Sequence, residues 1–304
     1  MSIVRDYEAP VKACYSSWSR TYYDEYYGPD APYPPVHRDL LISLLRKAKV
    51  TTLLDAGCGP ASFLRHLNPK RIQVYGFDLT PEMVDEARRV LAAKGVPADR
   101  IWQGSVLSPR AFRAPGHRAP ARFSAITCAC VFPHIPPEGD VTVIRNLRQG
   151  LQKNGLVIVE ARNLLFSLFT LNRPSFEFFA NELIRIDALE QKAGGASFGL
   201  SEAVADMQQR FRMDLPPVRG GKPGAPGYDE VLSRMHNPFV LREQFERLGF
   251  ENVRLHFYHF HALPPMCQRF VPELFRAESI AMENPADWRG HFMASAFLLS
   301  ARRA

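Results

Sequence analysis

Two glycines separated by one residue follow a short apolar run. The run TLLDA, Thr52–Ala56, ends directly at Gly57, Cys58 and Gly59. Glycine is required where a backbone turns sharply and a ligand approaches it closely. A dinucleotide-binding G-x-G-x-x-G turn would place a third glycine where Ser62 stands, and no phosphate-binding G-x-x-x-x-G-K-[ST] loop occurs. The turn therefore indicates either a ligand of another kind or a plain strand-to-helix turn without a ligand.

An acidic residue ends the next apolar run. The sequence IQVYGF at 72–77 is typical of a strand, and Asp78 follows it, 23 positions after Asp55. A carboxylate at this place in an open α/β sheet can accept hydrogen bonds from ribose hydroxyls. Alternatively, Asp78 caps the helix that begins near Pro81. We favour the ribose role, because the same geometry serves any adenosine ligand.

Strand and helix patterns alternate around these two motifs. Helical patterns lie at 61–67, 80–93, 141–152 and 241–248. Apolar strand patterns lie at 52–56, 72–77, 101–103, 123–129, 156–161, 253–262 and 291–301. Thr80 can cap the helix at 80–93, and Pro81 suits its first turn. The alternation predicts parallel strands with right-handed crossovers, whereas the last two strands, with no long helix between them, predict an antiparallel edge pair.

The expected fold class is therefore α/β. We expect a Rossmann-like, doubly wound, mostly parallel sheet of seven strands with an antiparallel edge hairpin, formed by 50–162 and 238–304. An N-terminal aromatic helical cap is expected over 1–49 and a helical lid that binds the substrate over 163–237. The alternatives are that the aromatic residues of the cap only pack and that the insertion is ordinary helical elaboration. Trp18 and Tyr22, four residues apart, share one face if the cap is helical, and Tyr22 is expected to reach the site.

The sequence resembles the class I S-adenosylmethionine-dependent methyltransferases. The stretches LLDAGCGPASFLRHL (53–67) and VYGFDLTPEMVDEAR (74–88) are similar to the first two motifs of that family. ITCACVFPHI (126–135) is similar to its fourth-strand motif, and LRQGLQKNGLVIVEARN (147–163) to the helix, glycine turn and fifth strand that follow. The resemblance covers 50–162 well and 239–301 by topology only.

The resemblance implies S-adenosyl-L-methionine as cofactor and assigns positions around it. Asp55, Gly57 and Gly59 would line its methionine part, so that a side chain at Gly57 would enter the cofactor's space. Asp78 would hold the ribose, with Leu79 beside the adenine. The full set of cofactor positions is Asp55, Gly57, Cys58, Gly59, Asp78, Leu79, Met83, Gly104, Ser105, Val106, Cys128 and Tyr22.

The sequence departs from the family at one of these positions. Gly104-Ser105 stands where many members have Gly-Asp, whose acid contacts the adenine amino group. Ser105 could contribute a hydroxyl or a backbone amide instead. The stretch 128–131 would line the face where the methyl group is transferred, and it lacks the N/D-P-P-Y/F tetrapeptide typical of transfer to an exocyclic base nitrogen.

Three histidine sites compete for the role of general base that an oxygen acceptor often needs. His134 follows the fourth strand, at the ligand end of the sheet, and His236 lies where the insertion rejoins the core. These two are the candidate catalytic residues. A third group, His256, His259 and His261, lies in a strand among aromatic residues and is ranked lower, because strand histidines more often pack.

Composition and charge limit the partners, the metal sites and the cellular location that the sequence allows. The net charge is +7, and an arginine-rich segment at 108–122 is either a solvated surface loop or a patch for phosphate or nucleic acid. The five cysteines lack C-x-x-C spacing, which predicts free thiols in a reducing compartment and no metal site. No apolar run is long enough for a membrane span and the first residues do not resemble a secretory signal, so a cytoplasmic location is expected.

We therefore expect S-adenosylmethionine-dependent methyl transfer to a small-molecule acceptor, with O-methylation slightly favoured over N-methylation. An RNA or protein methyltransferase is the first alternative, supported by the net charge. The nearly balanced charge of 163–237 and the lack of a separate recognition domain oppose it, so nucleic acid is not the expected partner. A non-catalytic cofactor-binding partner subunit is the second alternative. A homo-oligomer is compatible with the sequence.

Overall fold

The computed structural model describes residues 7–28, 31, 33–115, 120–193, 198–214 and 226–304. Over these residues, seven strands form one mixed sheet. They are β1 (Thr52–Ala56), β2 (Gln73–Asp78), β3 (Ile101–Gln103), β4 (Phe123–Cys128), β5 (Leu151–Arg162), β6 (Phe250–Phe260) and β7 (Ala294–Arg303). The central strands are buried almost throughout, as parallel strands covered on both faces must be, which explains their continuous apolar runs.

The strand order places a ligand crevice between β1 and β4. The order is β3-β2-β1-β4-β5-β7-β6, with β1 parallel to both β2 and β4. The chain thus moves from β1 to one edge of the sheet and then returns to the other side of β1. Ligands of open α/β sheets bind outside the carboxyl ends of the strands at such a reversal. β7 runs antiparallel to β5, and the expected fold class, with its antiparallel edge strands, is confirmed.

Helices precede, connect and follow the strands. The α-helices of the described residues are α1 (Glu8–Trp18), α2 (Tyr22–Tyr27), α3 (Val36–Lys47), α4 (Pro81–Ala92), α5 (Asp140–Gly150), α6 (Ser167–Thr170), α7 (Arg173–Glu177), α8 (Ile186–Ala193), α9 (Phe198–Gln209), α10 (Pro238–Arg247), α11 (Pro272–Ala281) and α12 (Gly290–Met293). A π-helical stretch, Phe178–Ile184, follows α7. α4 buries Met83, Val84, Ala87 and Leu91 on one face, the spacing of a helix that packs on a sheet.

The structure differs from the predicted elements at several places, including β5, which begins at Leu151 rather than at 156. The helix predicted at 61–67 is wrong, because Ala61 is left-handed (φ 57°) and only one 3₁₀ turn, Leu64–His66, follows. The strand predicted from residue 291 begins at Ala294, since α12 occupies the preceding residues. Thr80 is at the N-cap of α4 but makes no side-chain capping bond; the Asp78 Oδ1 accepts the Thr80 N–H at 2.9 Å.

The chain folds into two compact units. One comprises Met1–Arg162, Val218–His256 and Ala296–Ala304, and the other comprises Asn163–Pro217 and Phe257–Ser295. The predicted lid therefore contributes residues to both units, and its role stays a prediction. Most of the loop predicted at 216–227 lies outside the described residues. The Gly194-Gly195 turn and residues 116–119 of the arginine-rich segment also lie outside them. No helix in the described ranges is long and apolar enough to cross a membrane.

Candidate active site

A pocket of about 1030 Å³, partly open to solvent, is bounded by residues that follow the carboxyl ends of β1 to β4. Helices α1 and α2 contribute further side chains to it. All of its lining residues belong to the first of the two compact units.

The glycine turn after β1 forms one wall of this pocket. Gly57 and Gly59 are both left-handed, with φ of 81° and 50°. The Gly57 and Cys58 amides donate to the Phe77 carbonyl at 2.8 and 2.9 Å, which ties the turn to the end of β2. A β-carbon on Gly57 would lie 2.3 Å from Val131 Cγ2, so a side chain at this position would clash with the segment that follows β4. A β-carbon on Gly59 would meet no atom within 4 Å, which leaves a cradle that a ligand can fill.

Asp78 lies at the end of β2 and joins the glycine turn to α4. Its Oδ2 accepts from the Gly59 amide at 2.8 Å and its Oδ1 from the Thr80 amide at 2.9 Å. Burial raises the pKa of Asp78 above its ordinary value, although the Thr80 and Gly59 amides oppose the shift. Each carboxylate oxygen can accept a second hydrogen bond, so the capping contact and the predicted ribose contact are compatible.

Replacing Asp78 with alanine is expected to weaken S-adenosylhomocysteine binding by roughly 10- to 100-fold, because hydrogen bonds to a charged acceptor are lost. Titration calorimetry measures the effect. Asp85→Ala is the control, since Asp85 is an exposed acid on α4 outside the pocket lining. Equal affinities of Asp78→Ala and the wild type would contradict the ribose assignment.

Asp55 is a buried carboxyl at the end of β1, 3% exposed. The Thr127 hydroxyl of β4 donates to its Oδ1 at 2.7 Å, which links the two strands that border the crevice. Burial raises the pKa of Asp55 to about 7, against the lowering effect of the Thr127 hydrogen bond. A cationic ligand group favours the ionised form of a neighbouring carboxyl.

Cofactor affinity is therefore expected to depend on pH. Below about pH 7 the Asp55 carboxyl of the free protein is protonated, and binding a methionine ammonium there must release that proton. Affinity should rise about tenfold per pH unit up to pH 7 and level off above it. The α-amino group itself stays charged up to about pH 8. Calorimetry between pH 5.5 and 7.5 measures how the affinity changes with pH, and Asp55→Asn should abolish this change. A wild-type affinity that does not change over this pH range would refute the proposed contact between Asp55 and the ammonium group.

The predicted adenine positions also line the pocket, although one glycine has a packing role as well. Leu79, Met83 and Val106 present apolar side chains. A β-carbon on Gly104 would lie 2.7 Å from the β-carbon of Ala111, so packing alone excludes a larger residue. The Ser105 hydroxyl donates to a Glu8 carboxylate oxygen on α1 and accepts from the Leu107 amide.

The aromatic cap reaches the pocket through several tyrosines. Tyr22 lines the pocket as expected, and so do Tyr7, Tyr15 and Tyr27. Within the cap, a break after Trp18 separates α1 from α2, yet the Trp18 and Tyr22 rings still meet edge to face at 5.2 Å. Glu8 and Tyr15 were not among the predicted site residues. The intervals of eight and seven residues between Tyr7, Tyr15 and Tyr22 place these tyrosines near one face of a helix, which is a sequence signal for Tyr15 but not for Glu8.

His134 lies at the pocket wall, in the 3₁₀ turn after β4. Its Nδ1 is 2.7 Å from the Leu232 carbonyl oxygen and its Nε2 is 2.8 Å from the Tyr15 hydroxyl. A carbonyl can only accept, so Nδ1 carries the proton and, in the neutral ring, Nε2 accepts from Tyr15. Burial lowers the pKa of His134 to about 4, which keeps the ring neutral at physiological pH.

The other candidate histidines lie outside the pocket lining. His236 is buried beneath the turn that carries His134, with its ring against Phe132 and its Nε2 3.8 Å from Asp140 Oδ1. It does not line the described pocket, nor do His256, His259 and His261.

Cys128 is fully buried in β4 and also lies behind the pocket wall. Its neighbour Cys130 lines the wall instead, with a left-handed backbone (φ 58°) and its amide 3.1 Å from a Glu160 oxygen. Strand alternation would place both side chains on one face, but β4 ends at Cys128 and the left-handed backbone of Cys130 turns the chain, so the alternation no longer applies.

Comparison with known proteins identifies the central domain. Residues 53–155 match the family profile described as a methyltransferase domain. No curated protein matches the sequence.

Several solved structures are similar to this chain. Magnesium protoporphyrin IX methyltransferase from Synechocystis PCC 6803 with bound SAH is 14% identical, with 98% of this chain and 99% of that chain covered and a TM-score of 0.48. An O-methyltransferase family protein from Burkholderia thailandensis is 12% identical, with 88% and 58% covered and a TM-score of 0.43. The S-adenosylmethionine-dependent methyltransferase SibL in its apo form is 15% identical, with 88% and 55% covered and a TM-score of 0.46. This chain spans little more than half the length of the last two.

The profile match and the strand order agree with each other. Residues 53–155 match a methyltransferase domain, and the seven-stranded sheet that contains them has a Rossmann-like methyltransferase fold. The matched domain supports an enzyme that transfers a methyl group, with S-adenosylmethionine as the cofactor.

The pocket residues fit this cofactor. Gly59 leaves open space beside the turn, Asp55 offers a carboxyl for an ammonium group, and Asp78 retains acceptor capacity for hydroxyls. When bound, S-adenosylmethionine supplies an electrophilic methyl group, so the protein must align an acceptor with that carbon and exclude water. The individual contacts stay predictions, which substitutions at these positions test.

Proposed function

We propose that this chain transfers the methyl group of S-adenosylmethionine to an oxygen atom of a small molecule. The observation that carries this proposal is the pair formed by Tyr15 and His134 at the pocket wall, 2.8 Å apart. A nitrogen acceptor has its own lone pair and needs no base once it is neutral, whereas a hydroxyl must lose a proton as its oxygen is methylated.

The pair is arranged to take up that proton. The Leu232 carbonyl holds the His134 Nδ1 proton, which leaves the Nε2 lone pair for the Tyr15 hydroxyl. Burial raises the pKa of Tyr15 well above its ordinary value, so Tyr15 remains a neutral hydroxyl rather than a phenolate. An acceptor hydroxyl that donates to Tyr15 Oη would complete a two-step path to His134 Nε2.

The low pKa of His134 is compatible with this role. A free hydroxyl is a weak acid, but it becomes strongly acidic as its oxygen bonds to the methyl carbon. The oxygen lone pair forms the new carbon–oxygen bond, the carbon–sulfur electron pair stays with sulfur, and the hydroxyl proton passes through Tyr15 to His134. A neutral imidazole with a pKa of about 4 can accept a proton from such an oxonium-like group.

The character of the pocket wall supports a small acceptor over a nucleic acid. The described lining contains three carboxyls, Glu8, Asp55 and Asp78, and no lysine or arginine. Nucleic-acid sites depend on cationic side chains that neutralise phosphates. Apolar and aromatic side chains, among them Tyr22 and Ile135, make up most of the remaining wall.

The test is methyl transfer from S-adenosylmethionine by the purified full chain to matched sets of small phenols, alcohols and the corresponding amines, read by mass spectrometry. Products methylated on oxygen are expected, and Tyr15→Phe should reduce them. Tyr23→Phe is the matched control, because Tyr23 also pairs with a histidine (His66, 3.3 Å) but lies outside the pocket lining. Transfer to amines alone, or equal rates for the two variants, would refute the proposal.

A further inference from the structure

Glu8 brings a carboxylate from the first turn of α1 into the pocket. One of its oxygens, Oε1, accepts the Ser105 hydroxyl proton. That direction is fixed because a carboxylate oxygen can only accept; the Ser105 Oγ itself also accepts the Leu107 amide, 3.0 Å away. Within the described residues, Oε2 of Glu8 is left for a second donor.

The three carboxyls of the pocket wall lie at the ends of three successive strands of the sheet. Asp55 ends β1 and pairs with Thr127, and Asp78 ends β2 and holds backbone amides. Glu8 lies against Ser105, two residues after β3. A ligand that places an ammonium at Asp55 and a ribose at Asp78 therefore extends its base toward β3.

Near the ends of β2 and β3, the pocket lining combines the Glu8 carboxylate with several apolar side chains. Leu79, Met83 and Val106 line this part of the pocket, as suits the faces of a purine ring. The exocyclic amino group of adenine is a hydrogen-bond donor and needs an acceptor once it is removed from water. The Ser105 hydroxyl already accepts from Leu107 and donates to Glu8, so its neutral oxygen is a weaker acceptor for this amino hydrogen than the free carboxylate oxygen of Glu8.

We propose that Glu8 accepts the amino hydrogen of the adenine ring, so that α1 rather than the chain after β3 selects the base of the cofactor. Ser105 is the positioning residue that orients the Glu8 carboxylate. This inference concerns the cofactor and is independent of the acceptor's identity. It also makes α1 part of the cofactor site, since the helix cannot leave its place without removing this contact.

The test compares S-adenosylhomocysteine with S-inosylhomocysteine, in which a carbonyl oxygen replaces the amino group of the purine. Calorimetry with the full chain should give roughly 10- to 100-fold tighter binding of the adenosine compound, because a carboxylate attracts the amino group and repels the carbonyl. Glu8→Gln should bring the two affinities close together, because an amide can donate to the carbonyl. Ser105→Ala should reduce the discrimination in part.

Glu25→Gln is the matched control, because Glu25 lies in the same cap, accepts from the Trp18 indole and does not line the pocket. It should keep the wild-type discrimination. The inference would be overturned by a Glu8→Gln variant that still prefers the adenosine compound as strongly as the wild type does. Amide hydrogen exchange gives a second readout: S-adenosylhomocysteine should protect α1 in the wild type and protect it less in Glu8→Gln.

Discussion

Replacement of His134 by asparagine is expected to lower kcat roughly 10²- to 10⁴-fold, the usual contribution of a positioned general base. Asparagine can still donate to the Leu232 carbonyl but cannot take up a proton. Affinity for S-adenosylhomocysteine should change little, because the base acts on the acceptor. Steady-state kinetics with an oxygen acceptor and calorimetry with S-adenosylhomocysteine measure the two quantities separately.

The pH profile separates a base from a merely structural residue. Burial lowers the pKa of His134 to about 4, so the ring is protonated, and useless as a base, only below that pH. Wild-type kcat should therefore fall as the pH decreases through about 4 and stay level between 5 and 7, whereas an ordinary histidine would give the fall near 6.5. His66→Asn, outside the pocket lining, is the control. Equal kcat values for His134→Asn and His66→Asn would show that His134 does not act as the base.

Substitution of Gly59 by leucine is expected to weaken cofactor binding at least ~100-fold, because the side chain would occupy space that the ligand needs. A β-carbon there meets no atom within 4 Å, and Gly59 lines the pocket. The left-handed backbone (φ 50°) adds about 1–2 kcal/mol of strain to any residue with a β-carbon. Calorimetry reports binding, and thermal unfolding reports the strain.

Gly95→Leu is the matched control for this variant. Gly95 is also left-handed (φ 75°), a β-carbon there also meets nothing within 4 Å, and it lies outside the pocket lining. Both variants should lose similar stability, and only Gly59→Leu should lose the cofactor. Gly57 is a poorer site for this test, because its β-carbon would collide with Val131. Normal binding by a folded Gly59→Leu variant would contradict the placement of the site.

Local patterns were sufficient for the parallel half of the sheet. The runs that become β1 and β2 are short, apolar and followed by Gly57 and Asp78, so sequence alone indicated both the strands and the residues at their carboxyl ends. The match at 53–155 covers this same part of the chain. The helix predicted at 61–67 was wrong because nothing in the sequence reveals the left-handed backbone of Ala61.

Residues brought to the pocket by long-range packing were not predictable in the same way. Glu8 meets Ser105 across 97 positions and Tyr15 meets His134 across 119. Neither pair has a fixed spacing or motif, because the docking of α1 determines both. His236 and Cys128 show that nearness to a pocket residue does not place a side chain in the pocket. Each lies close to pocket residues in sequence or in space, but its side chain is buried behind the pocket wall.

The most direct test of the account is calorimetric titration of the purified wild-type chain with S-adenosylmethionine and S-adenosylhomocysteine. We expect both to bind at one site per chain with a Kd in the micromolar range or tighter, and S-adenosylmethionine binding to strengthen as the pH rises toward 7. Failure of a folded protein to bind either ligand would contradict the central claim that the crevice between β1 and β4 is a cofactor site.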